Sequence, residues 1–226
     1  MDARLQRHFD KDERFVRLAL LPLSLALLTA TSCARSGDLV AGGVYTQRTG
    51  CPQVAIPGAT GDITLFDPAG STSAAAIDVV ATITNLRSAC TEDTQNLVST
   101  ATFNVVATRR DPSQPRQVVL PFYSVAVQGG TEVVAKRVGA VALNFPAGSL
   151  RAQTNSQSTV RVARSAAALP EDVRRELTRE RKPGDPNAAV DPLSDPKVRD
   201  AVARATFEHL VGFQLTPEQL RYNATR

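Results

Sequence analysis

Tryptophan is absent from this chain, methionine occurs once, histidine twice, and only three cysteines are present. Each scarcity closes a route. Without a C-x-x-C spacing or a Cys/His cluster, a zinc site or a thioredoxin-like redox centre has no ligand set. Enzymes that do acid–base or nucleophilic work bring titratable groups together, yet beyond residue 33 the only histidine is His209. Beside Glu208 it reads as a surface or capping residue of a helix. No G-x-S-x-G elbow, P-loop, dinucleotide fingerprint, H-E-x-x-H or calcium loop occurs. Asp67, Asp78, Glu92 and Asp93 read as solvated turn positions. No catalytic set, metal site or cofactor is expected.

A one-signed charge excess is missing too. The 26 Lys and Arg exceed the 22 Asp and Glu by only four, with Arg4, Arg7, Lys11, Arg14 and Arg17 set against Asp2, Asp10, Asp12 and Glu13 near the start. A nucleic-acid footprint would need basic side chains gathered on one face or stripe, so no nucleic-acid partner is expected. Aromatics make up 5% of the 226 residues, yet the hydrophobic fraction is an ordinary 42%, supplied mostly by Val and Ala. Disorder throughout is therefore excluded. Branched side chains suit a pleated surface and favour strands in the middle of the chain.

The apolar run after Arg17 is short. Its core, Leu18 to Ala30, covers about 20 Å as a helix, against roughly 30 Å of bilayer hydrocarbon. A basic flank, a short apolar segment and then small residues form the arrangement of a secretory signal peptide, here residues 1–32. The junction Leu28-Thr29-Ala30-Thr31-Ser32-Cys33 resembles the lipobox of bacterial lipoproteins. That resemblance implies a diacylglyceryl group on Cys33, which becomes the mature N-terminus. The residue after it is Ala34 and not the Asp that blocks sorting, so the implied address is the outer membrane of a Gram-negative envelope, facing the periplasm. Ordinary signal cleavage after Ser32 or Ala34 is the alternative, giving a soluble periplasmic or secreted chain. If the lipobox resemblance holds, Cys33 is consumed, and Cys51 and Cys90 remain as a pair in a compartment where disulfides persist. The alternative for these two is a pair of free buried thiols.

Residues 33–52 read as a tether rich in Gly, Ser and Thr, followed by a first edge strand near Gln53–Ile56. From there alternation dominates. Ile63 and Leu65 alternate before Asp67-Pro68; Val79, Ala81 and Ile83 share one side of the next run; Ala101, Phe103, Val105 and Ala107 share one side of the run after it. Polar turns fall at 91–96 and 111–115. Pro121 in the following run predicts an edge strand or a bulge, Gly139 predicts a bend, and Val160 and Val162 belong to a last strand. About seven strands between turn signals predict a mainly β, antiparallel sandwich over residues 53–165. Their spacing resembles immunoglobulin-like and fibronectin type III domains.

Residues 166–226 read as a helical extension. Pro170 opens one helix whose apolar face is Val173 and Leu177, and a proline-rich linker spans 183–196. A second helix capped by Ser194 or Asp195 is expected to carry Val198, Val202, Phe207 and Leu210 toward a partner and to stop at Gly212. Thr216 and Gln219 fit a capping box. The extension either docks on the sandwich or extends as a helix for a partner groove. Together these features predict an envelope lipoprotein acting as a protein-binding or assembly module. Its expected partners are the lipid bilayer, through acylated Cys33, and another envelope protein. A secreted enzyme with a loop-borne site and a structural spacer are the alternatives.

Overall fold

The computed structural model describes residues 39–40, 43–44, 50–182, 184–186 and 188–225. Cys33, which carries the lipidation expectation, lies outside them. The chain divides into two units, residues 1–47 and 48–226. In the first, Leu39–Val40 pairs antiparallel with Gly43–Val44. In the second, eight strands are described: β1 (Gln53–Ala55), β2 (Asp62–Phe66), β3 (Ile77–Glu92), β4 (Asn96–Arg109), β5 (Arg116–Gln128), β6 (Glu132–Phe145), β7 (Arg151–Ala163) and β8 (Phe207–Phe213). They form two four-stranded sheets, ordered β1-β8-β5-β6 and β2-β3-β4-β7. All pairings are antiparallel except β1 with β8. The fold is a mainly β sandwich.

The alternating residues meet between the sheets. Val79, Ala81, Ala101, Phe103, Val105 and Ala107 from one sheet pack with Leu120, Phe122, Leu143, Phe145, Val211 and Phe213 from the other, all buried. A fully buried Leu, Val or Phe side chain contributes roughly 1.5–3 kcal/mol of transfer free energy, so this layer is the main source of cohesion. The turn between β3 and β4 is set by Asp93, whose Oδ1 accepts from the amides of Gln95 and Asn96 at 2.8 and 2.6 Å. The same two amides hold the Asp93 carboxyl below its ordinary value.

Two of the crossovers between sheets, β4 to β5 and β6 to β7, are held by one cation. Arg109, 5% exposed at the end of β4, donates from Nε to Ser149 O (2.8 Å), from Nη1 to Gln114 O (2.6 Å), and from Nη2 to Pro112 O (3.2 Å) and Pro146 O (2.8 Å). Its guanidinium also lies 5.1 Å from the centre of the Phe145 ring. The fixed fork of five N–H donors suits this better than any other side chain. Residues 110–115 and 146–150 are thereby tied to each other and to the core.

Pro121 lies in an interior strand, contrary to expectation, because of where its neighbour ends. The last pair between β8 and β5 is Phe213 with Phe122, and Pro121 lies just past it. Its carbonyl still accepts from Gln214 N at 2.9 Å, but no ladder partner stands opposite the missing N–H. Gly139 marks no break: β6 is one strand, and a Cβ there would meet the Phe122 ring at 2.6 Å. The glycine makes room for its cross-strand aromatic partner.

The C-terminal part departs most from the sequence-based reading. The helices are α1 (Arg164–Ala167), α2 (Glu171–Thr178), α3 (Pro196–Arg204) and α4 (Pro217–Thr225). Pro170 stands at the N-cap of α2, and Asp195 caps α3 through Lys197 N at 2.8 Å, with Pro196 at its first position. Val173 and Val198 are buried against each other's helices, and Lys197 Nζ pairs with Asp172 at 2.6 Å. But α3 stops at Arg204, and residues 207–213 are a strand inserted between β1 and β5. The predicted face of Val198, Val202, Phe207 and Leu210 therefore does not exist as one helical surface. The run Phe207-Glu208-His209-Leu210-Val211-Gly212-Phe213 satisfies both periodicities locally; its alternating burial, with Phe207, His209, Val211 and Phe213 inward, shows that period two prevails. Nor does the sandwich close at residue 165, because its central strand arrives some forty residues later.

Candidate functional site

A cleft of about 810 Å³ lies between α4 and the edge strand β2, with the 69–72 loop at its rim. The loop turns at Gly70, whose φ of +89° requires glycine, and Ser71 N closes the turn onto Pro68 O at 3.2 Å. Opposite it, α4 begins with the expected capping box. Gln219 N donates to Thr216 Oγ1 at 3.2 Å and Thr216 N donates to Gln219 Oε1 at 2.9 Å. The helix is clamped to the sandwich by Asn223, whose Nδ2 donates to Ala59 O (2.9 Å) and Asp62 O (2.7 Å), and by Tyr222, edge-on to Phe66 with ring centres 5.1 Å apart. Of the two sequence-level alternatives, α4 docks.

The cleft carries both signs of charge and an aromatic wall. Asp78 accepts from Arg116 Nη1 at 2.9 Å through Oδ1 and lies 2.8 Å from it through Oδ2. Arg116 keeps 45% of its side chain exposed in this pair, so it can turn to an incoming carboxylate. Glu218 and Arg221 line the opposite wall. The Glu218 carboxyl is held below its ordinary value, first by its own backbone N–H and then by the Thr216 hydroxyl. It is therefore a charged acceptor and not a proton donor.

A second polar centre lies inside the sandwich. His209 has no solvent exposure, and three hydroxyls surround it: Ser99 Oγ at 3.1 Å from Nδ1, and Ser124 Oγ and Ser158 Oγ at 2.9 and 3.2 Å from Nε2. Ser124 belongs to β5 beside it, whereas Ser99 and Ser158 reach across from β4 and β7 of the other sheet. The imidazole is an inter-sheet strut. This corrects the expectation of a surface or capping histidine. Burial lowers its pKa from 6.5 to about 4, so it is neutral at pH 7.

The pH dependence follows from that shift. The unfolded chain takes up the proton near pH 6.5 and the folded one only near pH 4, so this contribution is fully present above pH 6.5. It is lost progressively as pH falls to about 4, and amounts to roughly 3 kcal/mol. Comparing urea unfolding of the wild type with His209→Gln between pH 7 and 4 isolates it; parallel pH profiles would refute the assignment.

No protein-family model, curated protein or solved structure matches this chain. What the protein does must be read from its own geometry. Cys51 and Cys90 form a disulfide, with Cα atoms 6.2 Å apart. Val198 is buried and Val202 half-buried in the small α2–α3 cluster, Phe207 lies under the sheet, and Leu210 is half-buried on β8. Asp78 and Asp93 serve separate local roles, and among the described residues no group of three or more His, Cys, Asp or Glu could hold a metal ion. Among those same residues no helix is long and apolar enough to cross a membrane. The cleft residues and the His209 cluster were not singled out as sites from sequence. The available signal was serine and histidine at inward positions of alternating strands, where an apolar residue is the rule.

Proposed function

We propose that this chain is a cell-envelope lipoprotein, held at the periplasmic face of the outer membrane through acylated Cys33, whose sandwich binds an extended segment of another envelope protein. The cleft between α4 and β2 carries this reading. Its volume accommodates several residues of chain, the Phe66–Tyr222 wall takes an apolar side chain, and Arg116, Arg221, Asp78 and Glu218 offer partners for both signs of charge. A likeness to immunoglobulin-like and fibronectin type III modules belongs to the same proposal, supported by two facing sheets with loops at their ends.

Binding is favoured over catalysis because the nearest thing to a nucleophile–base arrangement, the serines around His209, lacks an orienting carboxylate and has a sealed imidazole. A passive spacer would have no use for a cleft whose helix is capped, clamped and charged. The test is a photo-crosslinking residue at Thr72 in the full chain, expressed in cells. One adduct of defined mass is expected, reduced at least about tenfold by Arg221→Glu, as suits loss of a charge-assisted contact. A smear of products, or an adduct indifferent to Arg221, would remove the binding reading. Intact-mass analysis of the mature protein tests the anchor separately: a bare N-terminus downstream of residue 33, or a free thiol there, would dispose of it.

A further inference from the structure

On the side of the sandwich away from the cleft, the edge strands β6 and β7 leave a seam. A cavity of about 330 Å³ opens there, and its lining includes Ser124, Ser158, Thr159, Gln157, Arg137 and Arg161. A smaller recess of about 120 Å³ adjoins it, adding Lys136. No carboxylate lines either space. Arg137 is paired in register with Ser124 and so projects from the inward side of β6, beside the serine that touches His209. Neither Arg137 nor Arg161 forms an ion pair with any described residue. The acid that senses Arg161 is Asp93, whose lone pairs are already engaged by Gln95 and Asn96.

We infer that this seam is a binding site for a phosphate-class oxyanion, gripped by Arg137 and Arg161 from the rim and by the hydroxyls of Ser124 and Ser158 at the floor. Donors outnumber acceptors, as a tetrahedral anion with three or four oxygens requires. The cavity is larger than inorganic phosphate, so the anion is the head of a larger molecule, either a lipid headgroup or a soluble phosphate ester. His209 sets the donors. With Nδ1 accepting from Ser99 and Nε2–H donating to a serine oxygen, the hydroxyl protons of Ser124 and Ser158 are free to point into the cavity. In the other tautomer Nε2 attracts a hydroxyl proton away from the anion. Because the imidazole is neutral, the positive charge of the site comes from Arg137 and Arg161, with Lys136 at the adjoining recess. The site is independent of the cleft.

Titrating the folded protein with inorganic phosphate, against sodium chloride of equal ionic strength, tests this by amide and imidazole nitrogen NMR. Expected are saturable shifts at Gly139, Ser158 and Thr159, a Kd on the order of 1 mM, and an Nε2–H signature at His209. Arg137→Gln and Arg161→Gln, both at exposed positions, should each weaken binding about tenfold with the unfolding midpoint unchanged. A second arm adds vesicles of phosphatidylcholine with or without phosphatidylglycerol. Binding to the anionic vesicles alone, competed by phosphate, identifies a lipid headgroup; phosphate binding without vesicle binding identifies a soluble ester. Shifts equal to those with chloride, or retained when both arginines are replaced, overturn the inference.

Discussion

Arg109→Met is expected to lower the unfolding free energy by about 3 kcal/mol, the order expected when hydrogen bonds to a charged group, roughly 1.5–3 kcal/mol each, are lost together with the burial of that charge. Methionine keeps much of the aliphatic stem while deleting every donor and the guanidinium over the Phe145 ring. The carbonyls of Pro112, Gln114, Pro146 and Ser149 then lose the donors that the buried guanidinium supplied. Hydrogen bonds to charged groups are individually strong, and unsatisfied buried acceptors are costly. Arg109→Lys separates charge from geometry: an ammonium has three donors on a point charge and cannot reproduce a planar fork across two loops. It should recover less than half of the loss. Equilibrium urea unfolding measures both, and a Lys variant as stable as the wild type would show that charge alone holds the crossovers together.

The second large effect is at the disulfide. Replacing Cys51 and Cys90 together by serine should cost about 4 kcal/mol on the chain-entropy estimate for a closed loop of 39 residues. The bridge ties the segment just before β1 to the far end of β3, and thus one sheet to the other. β1 has only three residues, pairing with β8 over Gln53 to Ala55. Without the covalent tie, that parallel edge pairing is the first to open, since a short edge strand has little else to hold it. Hydrogen exchange should therefore show Gln53–Ala55 losing protection before the core strands. A loss below about 1 kcal/mol, with β1 still protected, would mean that the native sheet restrains the segment without help from the bridge.

How far these features were legible in the sequence differs from element to element. The alternations Val79-Ala81-Ile83 and Ala101-Phe103-Val105-Ala107 predicted both the strands and their buried faces, because the two-residue period of a strand is written directly into residue order. Caps were equally local: Asp195 before Pro196, and Thr216 with Gln219, act within a few residues of themselves. Phe207–Phe213 was misread because seven residues permit either period, and the vacancy between β1 and β5 that selects a strand is created by distant chain. Arg109 has no local signature in the sequence. Its burial depends on two loops, at 110–115 and 146–150, converging on it.

By itself the sequence determined the chemistry of short range: a mainly β chain, its strand faces and its helix caps. Only the tertiary structure decided that His209 would meet Ser99, Ser124 and Ser158, that a C-terminal strand would complete a sheet begun at residue 53, and that α4 would raise one wall of a cleft on β2. The division has one physical cause. Periodicity and capping depend on neighbours along the chain, whereas burial, cavities and polar networks depend on which distant segments share a space, and that is settled when two sheets close on a common core.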